Sequence, residues 1–203
     1  WNRRGQIEVT VGPYPKWLTQ VQEVFRSTVG DSRIRMERRT RRAFRVQFDS
    51  TWVREFLNRL GFQLGVQSHL KRVPWAILRS PKTVVAAFLR GLFETDGCVE
   101  DERRLSFSTA SFRLASEVQL LLLNFGIVSR IKERLNKRYG RTYFHLTVLG
   151  AESVRTFADQ IGFLSECKKS LLEARVRKGA LGNKSSTEAI PFQQTWCRRL
   201  LES

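Results

Sequence analysis

Histidine is nearly absent from this 203-residue chain: His69 and His145 are the only two. Metal chemistry built on imidazole clusters is excluded with it. Cysteine is as scarce, and Cys98, Cys167 and Cys197 show neither CxxC spacing nor a paired-His motif, so neither a disulfide framework nor a zinc site is supported. No apolar run approaches the roughly 20 residues that cross a bilayer, and no charged, apolar, small-residue signal sequence opens the chain. The expectation is a soluble intracellular protein, cytoplasmic or nucleoid-associated, not secreted. Acidic residues are few as well: 19 Asp and Glu face 36 Lys and Arg, leaving a net charge of +17, and 27 of those cations are Arg. So large an excess implies a polyanionic partner, either nucleic acid or an anionic membrane surface. Core material is plentiful, with 41% hydrophobic residues, 14 Phe and 5 Trp, which suits a folded chain of one or two domains.

Internal repetition organises the chain. The segment Val53-Arg54-Glu55-Phe56-Leu57-Asn58-Arg59-Leu60-Gly61-Phe62 aligns with Val154-Arg155-Thr156-Phe157-Ala158-Asp159-Gln160-Ile161-Gly162-Phe163, identical at Val, Arg, Phe, Gly and Phe. Upstream, Val21-Gln22 and Arg33-Ile34 pair with Val118-Gln119 and Arg130-Ile131 at nearly the same spacing. Two copies of one unit fill most of the chain. In each, apolar residues first alternate with polar ones, at Ile7, Val9, Val11 and at Leu105, Phe107, Thr109, which predicts a half-buried strand. Amphipathic helices follow over about 15–27 and 112–125, then a hairpin, then a closing helix over about 51–60 or 151–161 that covers the apolar sheet face.

The hairpins are two-faced. Ile34, Met36, Phe44, Val46 and Phe48 share one side, and Arg33, Arg35, Arg45 and Gln47 the other, with Arg38, Arg39, Arg41 and Arg42 around the turn. In the second copy Ile131, Leu135, Phe144, Leu146 and Val148 oppose Arg130, Lys132, Arg134, Tyr143, His145 and Thr147. This predicts an α+β layer with an open cationic sheet surface. A charge run is most often a solvated face. Here the pattern recurs in both copies, and like charges on adjacent strands are destabilising, so a phosphate backbone is the natural counterion. The candidate DNA-binding set is Arg33, Arg35, Arg38, Arg41, Arg45, Gln47, Arg130, Lys132, Arg134, Arg138 and His145.

Between the copies, Pro81 marks the start and Gly97 the stop of a helix over about 82–97, with Val84, Val85, Phe88 and Leu92 at helical spacing. Gly91 in its interior costs roughly 1 kcal/mol relative to Ala, which close approach of a second helix backbone would offset. Asp96 in the last turn meets the negative end of the helix dipole, a mismatch of about 0.3–1 kcal/mol that a bound divalent cation would reverse. An isolated Asp-Gly would do no more than cap a turn.

Leu89-Arg90-Gly91-Leu92-Phe93-Glu94-Thr95-Asp96-Gly97 resembles the LAGLIDADG (dodecapeptide) motif of homing endonucleases, and the preceding Val73-Pro74-Trp75 and Ser80-Pro81 resemble the version embedded in inteins. With the flanking repeat, the similarity covers nearly the whole chain. It implies two pseudo-symmetric αββαββα halves forming a saddle over the DNA major groove, with the motif helices packed through small residues. It also implies a packing role for Gly91, a metal-ligand role for Asp96 with Gly97, and a structural hydrogen-bonding role for Glu94. A basic catalytic residue is implied near each metal site: Lys71 in Lys-Arg-Val-Pro, and Lys168 or Lys169 after Gly162-Phe163. Mg²⁺ held by carboxylates would polarise the scissile phosphates and activate water, and opposed halves would leave a staggered double-strand break in double-stranded DNA.

The repeat carried backwards sets Trp1 opposite Val99, so the counterpart of Asp96-Gly97 falls just before residue 1. The expected division is a first half over 1–78 lacking its motif helix and a second half over 79–203, ending in a tail from about 179. Ser185 to Phe192 resembles a tail returning toward a neighbouring domain. The missing helix, with the second carboxylate, is expected from upstream polypeptide or another chain. Gly91 packed on no helix beside an Asp96 in open solvent would count against that. No Cys or Ser begins the chain and no His-Asn ends it, so intein splicing chemistry is not expected within these residues. Two other classes stay open: a non-catalytic DNA-binding module, as in a degenerate endonuclease or a sporulation regulator, and an RNA-binding maturase.

Overall fold

Two antiparallel sheets carry the repeat. The computed structural model describes residues 7–11, 19, 22–24, 26–27, 30, 34–40, 43–48, 50–63, 65–100, 104–137 and 140–181. The first sheet comprises β1 (Ile7–Val11), β2 (Ile34–Thr40) and β3 (Ala43–Phe48) in the order β1-β3-β2. Helix α1 (Thr51–Arg59) follows. A short helix α2 (Trp75–Leu78) then leads into the motif helix α3 (Lys82–Asp96). The second sheet contains β4 (Gly97–Glu100), β5 (Arg104–Thr109), β6 (Ser129–Asn136) and β7 (Arg141–Val148) in the order β4-β5-β7-β6. Helix α4 (Phe112–Leu123) lies between β5 and β6, and α5 (Ala151–Gln160) and α6 (Glu166–Leu181) close the described chain.

The order β1-β3-β2 reproduces β5-β7-β6, and α1 corresponds to α5. Among the described residues the first unit has no counterpart of α3 or β4. Helical residues at 22–24 and 26–27 fall within the helix expected over 15–27.

Register follows alternation. Ile34 pairs with Phe48 and Met36 with Val46, while Arg35 pairs with Gln47, so the apolar and polar sets occupy opposite faces of the first sheet. In the second, Ile131 pairs with Leu146, whereas Arg130, Lys132 and Arg134 pair with Thr147, His145 and Tyr143. The apolar face of this second sheet meets α3, α4 and α5. Phe93 is the hub: its ring centroid lies 5.5 Å from that of Phe107 and 4.9 Å from that of Phe157, and Phe157 lies 5.6 Å from Phe163. Leu89, Leu105, Leu122, Ile127 and Leu146 complete the packing. Each such side chain removed from water contributes roughly 1.5–3 kcal/mol.

Three expectations shift. Leu135, assigned to the covered face, is 64% exposed, because it pairs with Thr142 toward the hairpin end, beyond Glu133, which is exposed too. The segment after Gly162-Phe163 is a 16-residue helix, α6, which runs to Leu181 past the tail boundary expected near 179. A strand, β4, follows the motif helix directly and pairs with β5 from Gly97↔Phe107 to Glu100↔Arg104.

Candidate active site and nucleic-acid interface

Helix α3 forms because Val85, Ala86, Leu89 and Phe93 recur on one buried face. It stops at Gly97, whose N–H donates to the Phe93 carbonyl while the backbone turns extended. A Cβ at Gly97 would run into the Phe93 carbonyl oxygen and come within 2.9 Å of the Phe93 Cα, so only glycine permits so tight a passage from helix to strand. The turn delivers Asp96 to the surface, with its carboxylate side chain exposed.

The foot of α3 is locked by a reciprocal clamp. Arg90 Nε donates to the Ile161 carbonyl at the end of α5. One turn on, Glu94 Oε2 accepts from the backbone N–H groups of Leu164 (2.7 Å) and Ser165 (3.2 Å). In return Lys168, on α6, donates from Nζ to the carbonyl oxygens of Phe93 (3.2 Å), Glu94 and Gly97 (2.8 Å), with its ammonium 5.3 Å from the Phe163 ring centroid. An ammonium has three N–H donors, and three carbonyls of the helix's negative end take them. Lys169 turns instead to Glu166 at 2.8 Å.

Lys71 reaches the same end of the sheet by a different route. Ser111, 1% exposed, accepts from the Leu114 N–H (3.1 Å) as the N-cap of α4 and donates to the Lys71 carbonyl (2.6 Å). Glu117, one turn further, accepts from the Val73 N–H (2.7 Å) through Oε2 and from Arg113 Nε (2.9 Å) through Oε1. Ser111 stands two residues beyond β5, whose Phe107 pairs with Gly97. The Lys71–Val73 segment and the Asp96 foot therefore share one end of the second sheet, and the side chain of Lys71 is exposed.

Arg130, Lys132 and Arg134 are exposed along β6, beside Thr147, His145 and Tyr143 on β7. Ser108 Oγ and His145 Nδ1 lie 2.8 Å apart across β5 and β7, which fixes the imidazole on this face. In the first sheet Gln47 pairs with Arg35 and Glu8, and Arg45 with Glu37 and Thr10, so the backbone sets Arg35, Arg45 and Gln47 on one face. Arg38 pairs with Phe44, on the face of the apolar set, next to a register shift between Arg38 and Thr40. Arg33, Arg41 and Arg138 lie outside the described residues.

The packing expected of Gly91 is not seen. A Cβ there would meet nothing within 4 Å among the described residues, and Asp96 is exposed, the pairing of observations set against an upstream helix. A helix outside the chain would also leave Gly91 uncovered, so this face does not discriminate. Phe56 does. Its repeat counterpart Phe157 is fully buried against Phe93, whereas Phe56 is 48% exposed and stacks on Trp52, itself 68% exposed, at 5.6 Å. Nothing described stands where a counterpart of Phe93 would be.

No group of three or more His, Cys, Asp or Glu residues suited to a metal occurs among the described residues. A lone exposed carboxylate fits Mg²⁺ only as one ligand among phosphate oxygens and waters, a common way for that ion to bind. The Gly97 carbonyl is already engaged by an ammonium. Sequence reasoning missed Arg90, Ser111 and Glu117. The Ser before Phe112 carries a readable N-cap signal, but no local pattern announces bonds that reach forty to seventy residues away.

Residues 83–162 match the LAGLIDADG-like domain. A 120-residue segment is 38% identical to part of the replication factor C small subunit of Methanocaldococcus jannaschii, spanning 59% of this chain and 6% of that protein. Another alignment, over 115 residues, is 36% identical to the replicative DNA helicase DnaB of Synechocystis sp., with coverage of 54% and 13%. A DNA gyrase polypeptide of Mycobacterium gordonae shares 37% over 109 residues, 52% of this chain and 19% of that one. The chain thus spans less than a fifth of each of these relatives. Among solved structures, the homing endonuclease I-DmoI in complex with DNA and Ca superimposes over 83% of this chain and 82% of its own, at 15% identity and a TM-score of 0.60. Mesophilic variants of I-DmoI give 77%, 79%, 15% and 0.59. The chain therefore has the LAGLIDADG homing-endonuclease fold, and its residues 83–162 belong to the LAGLIDADG-like domain family.

Proposed function

We propose that this chain is the DNA-cleaving part of an intein-type homing endonuclease, which makes a staggered double-strand break by Mg²⁺-dependent phosphodiester hydrolysis. The observation that carries the reading is Asp96, exposed at the clamped foot of α3 next to a sheet whose open face bears Arg130, Lys132 and Arg134. Asp96 would supply a hard oxygen ligand. A divalent cation bound there supplies Lewis acidity and a water of lowered pKa. The sheet cations would hold the duplex by its phosphates and base edges, and Lys71 would stabilise charge on the attacked phosphate. The solved relative supports both partners, since I-DmoI has been crystallised with its target DNA in Mg, and with DNA and Mn or Ca.

The intein setting is supported by the company the segment keeps. Closely related stretches sit inside a clamp loader, a helicase and a gyrase, each occupying a small fraction of a protein named for other work, as an inserted element would. Cytoplasm or nucleoid is the corresponding location. The first motif helix, with its own carboxylate, would come from upstream polypeptide or another chain and seat on Trp52 and Phe56.

Incubating the full-length natural protein with its candidate target in Mg²⁺ and then in Ca²⁺ tests the reading. Cleavage in Mg²⁺ alone, abolished by Asp96→Asn with DNA binding retained, is the expected result. Cleavage unchanged in that variant would overturn it. A non-catalytic DNA-binding module is the second reading, favoured by the single carboxylate foot among the described residues, and predicts binding without cleavage under every condition.

A further inference from the structure

Lys71 and Arg72 are both exposed, yet the residues after them, Val73 and Pro74, are buried. This stretch joins the two halves of the chain. On its upstream side, Gly61 (φ +88°) ends α1 with a Cβ position that would fall on the Trp75 ring, and the Ala76 N–H donates to the Leu60 carbonyl (3.3 Å). On its downstream side the only fastenings among the described residues are side chains of α4: the Ser111 hydroxyl on the Lys71 carbonyl and the Glu117 carboxylate on the Val73 N–H. Both are built for this. Ser111 is buried and uses its hydroxyl twice, as cap acceptor and as donor. The Glu117 side chain is only 15% exposed, with each oxygen engaged. A carboxylate so shielded from water is costly unless its hydrogen bonds are met, and one of the two is a backbone amide of the strap.

We infer that Ser111 and Glu117 are positioning residues for Lys71: they pin its backbone to the end of the sheet that carries Asp96, so that its amino group works from a fixed root. This rests on the role given to Lys71 above. Neither residue touches the scissile phosphate in this scheme. Their effect passes through the strap, and what matters is a hydroxyl donor at 111 and an oxygen acceptor at 117.

The first measurement needs neither metal nor DNA. Limited trypsin digestion of the metal-free chain reads strap release directly, since Lys71 and Arg72 are both cleavage points. Ser111→Ala and Glu117→Ala should speed nicking after residues 71 and 72 at least tenfold. Ser111→Thr and Glu117→Gln, which keep the donor and the acceptor, should stay near the wild-type rate. Unchanged nicking in both alanine variants overturns the inference, as does nicking that rises evenly along the whole chain, which would mean general loosening. The second measurement is single-turnover DNA cleavage by the full-length protein. Glu117→Ala should slow cleavage about tenfold at unchanged DNA affinity, and adding it to Lys71→Met should cost nothing more. A Glu117→Ala variant that nicks fast but cleaves at the wild-type rate overturns the positioning role. Wild-type cleavage by Lys71→Met alone would instead remove Lys71 from the proposed mechanism, and the nicking rates would still decide whether the clamp exists.

Discussion

The ammonium of Lys168 lies 2.8 Å from the carbonyl oxygen of Gly97, and the same nitrogen reaches the carbonyls of Phe93 and Glu94. A residue seventy positions downstream thus completes the C-terminus of the motif helix. Lys168→Met removes three charge-assisted bonds from a half-buried site. The expected loss is about 2 kcal/mol, or roughly 4–8 °C in Tm for a domain of this size, read by thermal denaturation. Lys169→Met, which breaks only an exposed pair with Glu166, should change Tm by less than about 2 °C.

The two glycines of the motif should respond in opposite directions. Gly97→Ala forces a Cβ against the Phe93 backbone, and the turn into β4 must shift, at a cost of about 2 kcal/mol or more. Gly91→Ala meets nothing described and sits mid-helix, so it should stabilise the isolated chain by up to about 1 kcal/mol. Chemical denaturation of the two variants checks both signs at once.

Equivalent phenylalanines in the repeat should not be equivalent energetically. Phe157→Ala empties a site between Phe93 and Phe163 and should cost about 3–5 kcal/mol. Phe56→Ala, half exposed beside Trp52, should cost less than about 1 kcal/mol in this chain. If a helix from elsewhere seats on that pair, the cost of Phe56→Ala should rise toward that of Phe157→Ala once the helix is present.

Neutralising Arg130, Lys132 or Arg134 should weaken DNA binding in a salt-dependent way. Removing one phosphate interaction lowers the slope of log K against log salt by roughly 1. A titration of affinity between low and high salt measures it. An unchanged slope across all three would place the duplex elsewhere on the molecule.

Much of this was legible in residue order because the determining signals were local. Alternation at Ile131, Lys132 and Arg134 fixes which face of β6 each side chain occupies, and the Val-Arg-x-Phe repeat fixes α1 and α5 as the same element. The motif helix was legible from Pro81 and Gly97. Helix α6 was not, since its apolar residues Leu171, Leu172 and Val176 form no clear stripe and it docks through Leu172 and the Lys168 clamp instead. Strand β4 is only four residues long and begins at the glycine that ends a helix. The roles of Ser111 and Glu117 depend on the Lys71–Val73 stretch, some forty residues away, being laid alongside them, which no periodicity encodes.

The one-strand difference between the sheets has a further consequence. Where β4 covers the flank of β5, its twin β1 shows a bare edge among the described residues, with a row of backbone donors and acceptors left without a ladder partner. Such an edge recruits extended chain by strand addition. A segment that brought only a helix to Trp52 and Phe56 would leave the edge open to copies of the protein, so solubility and completion of the fold become one event, achieved when helix and strand arrive together.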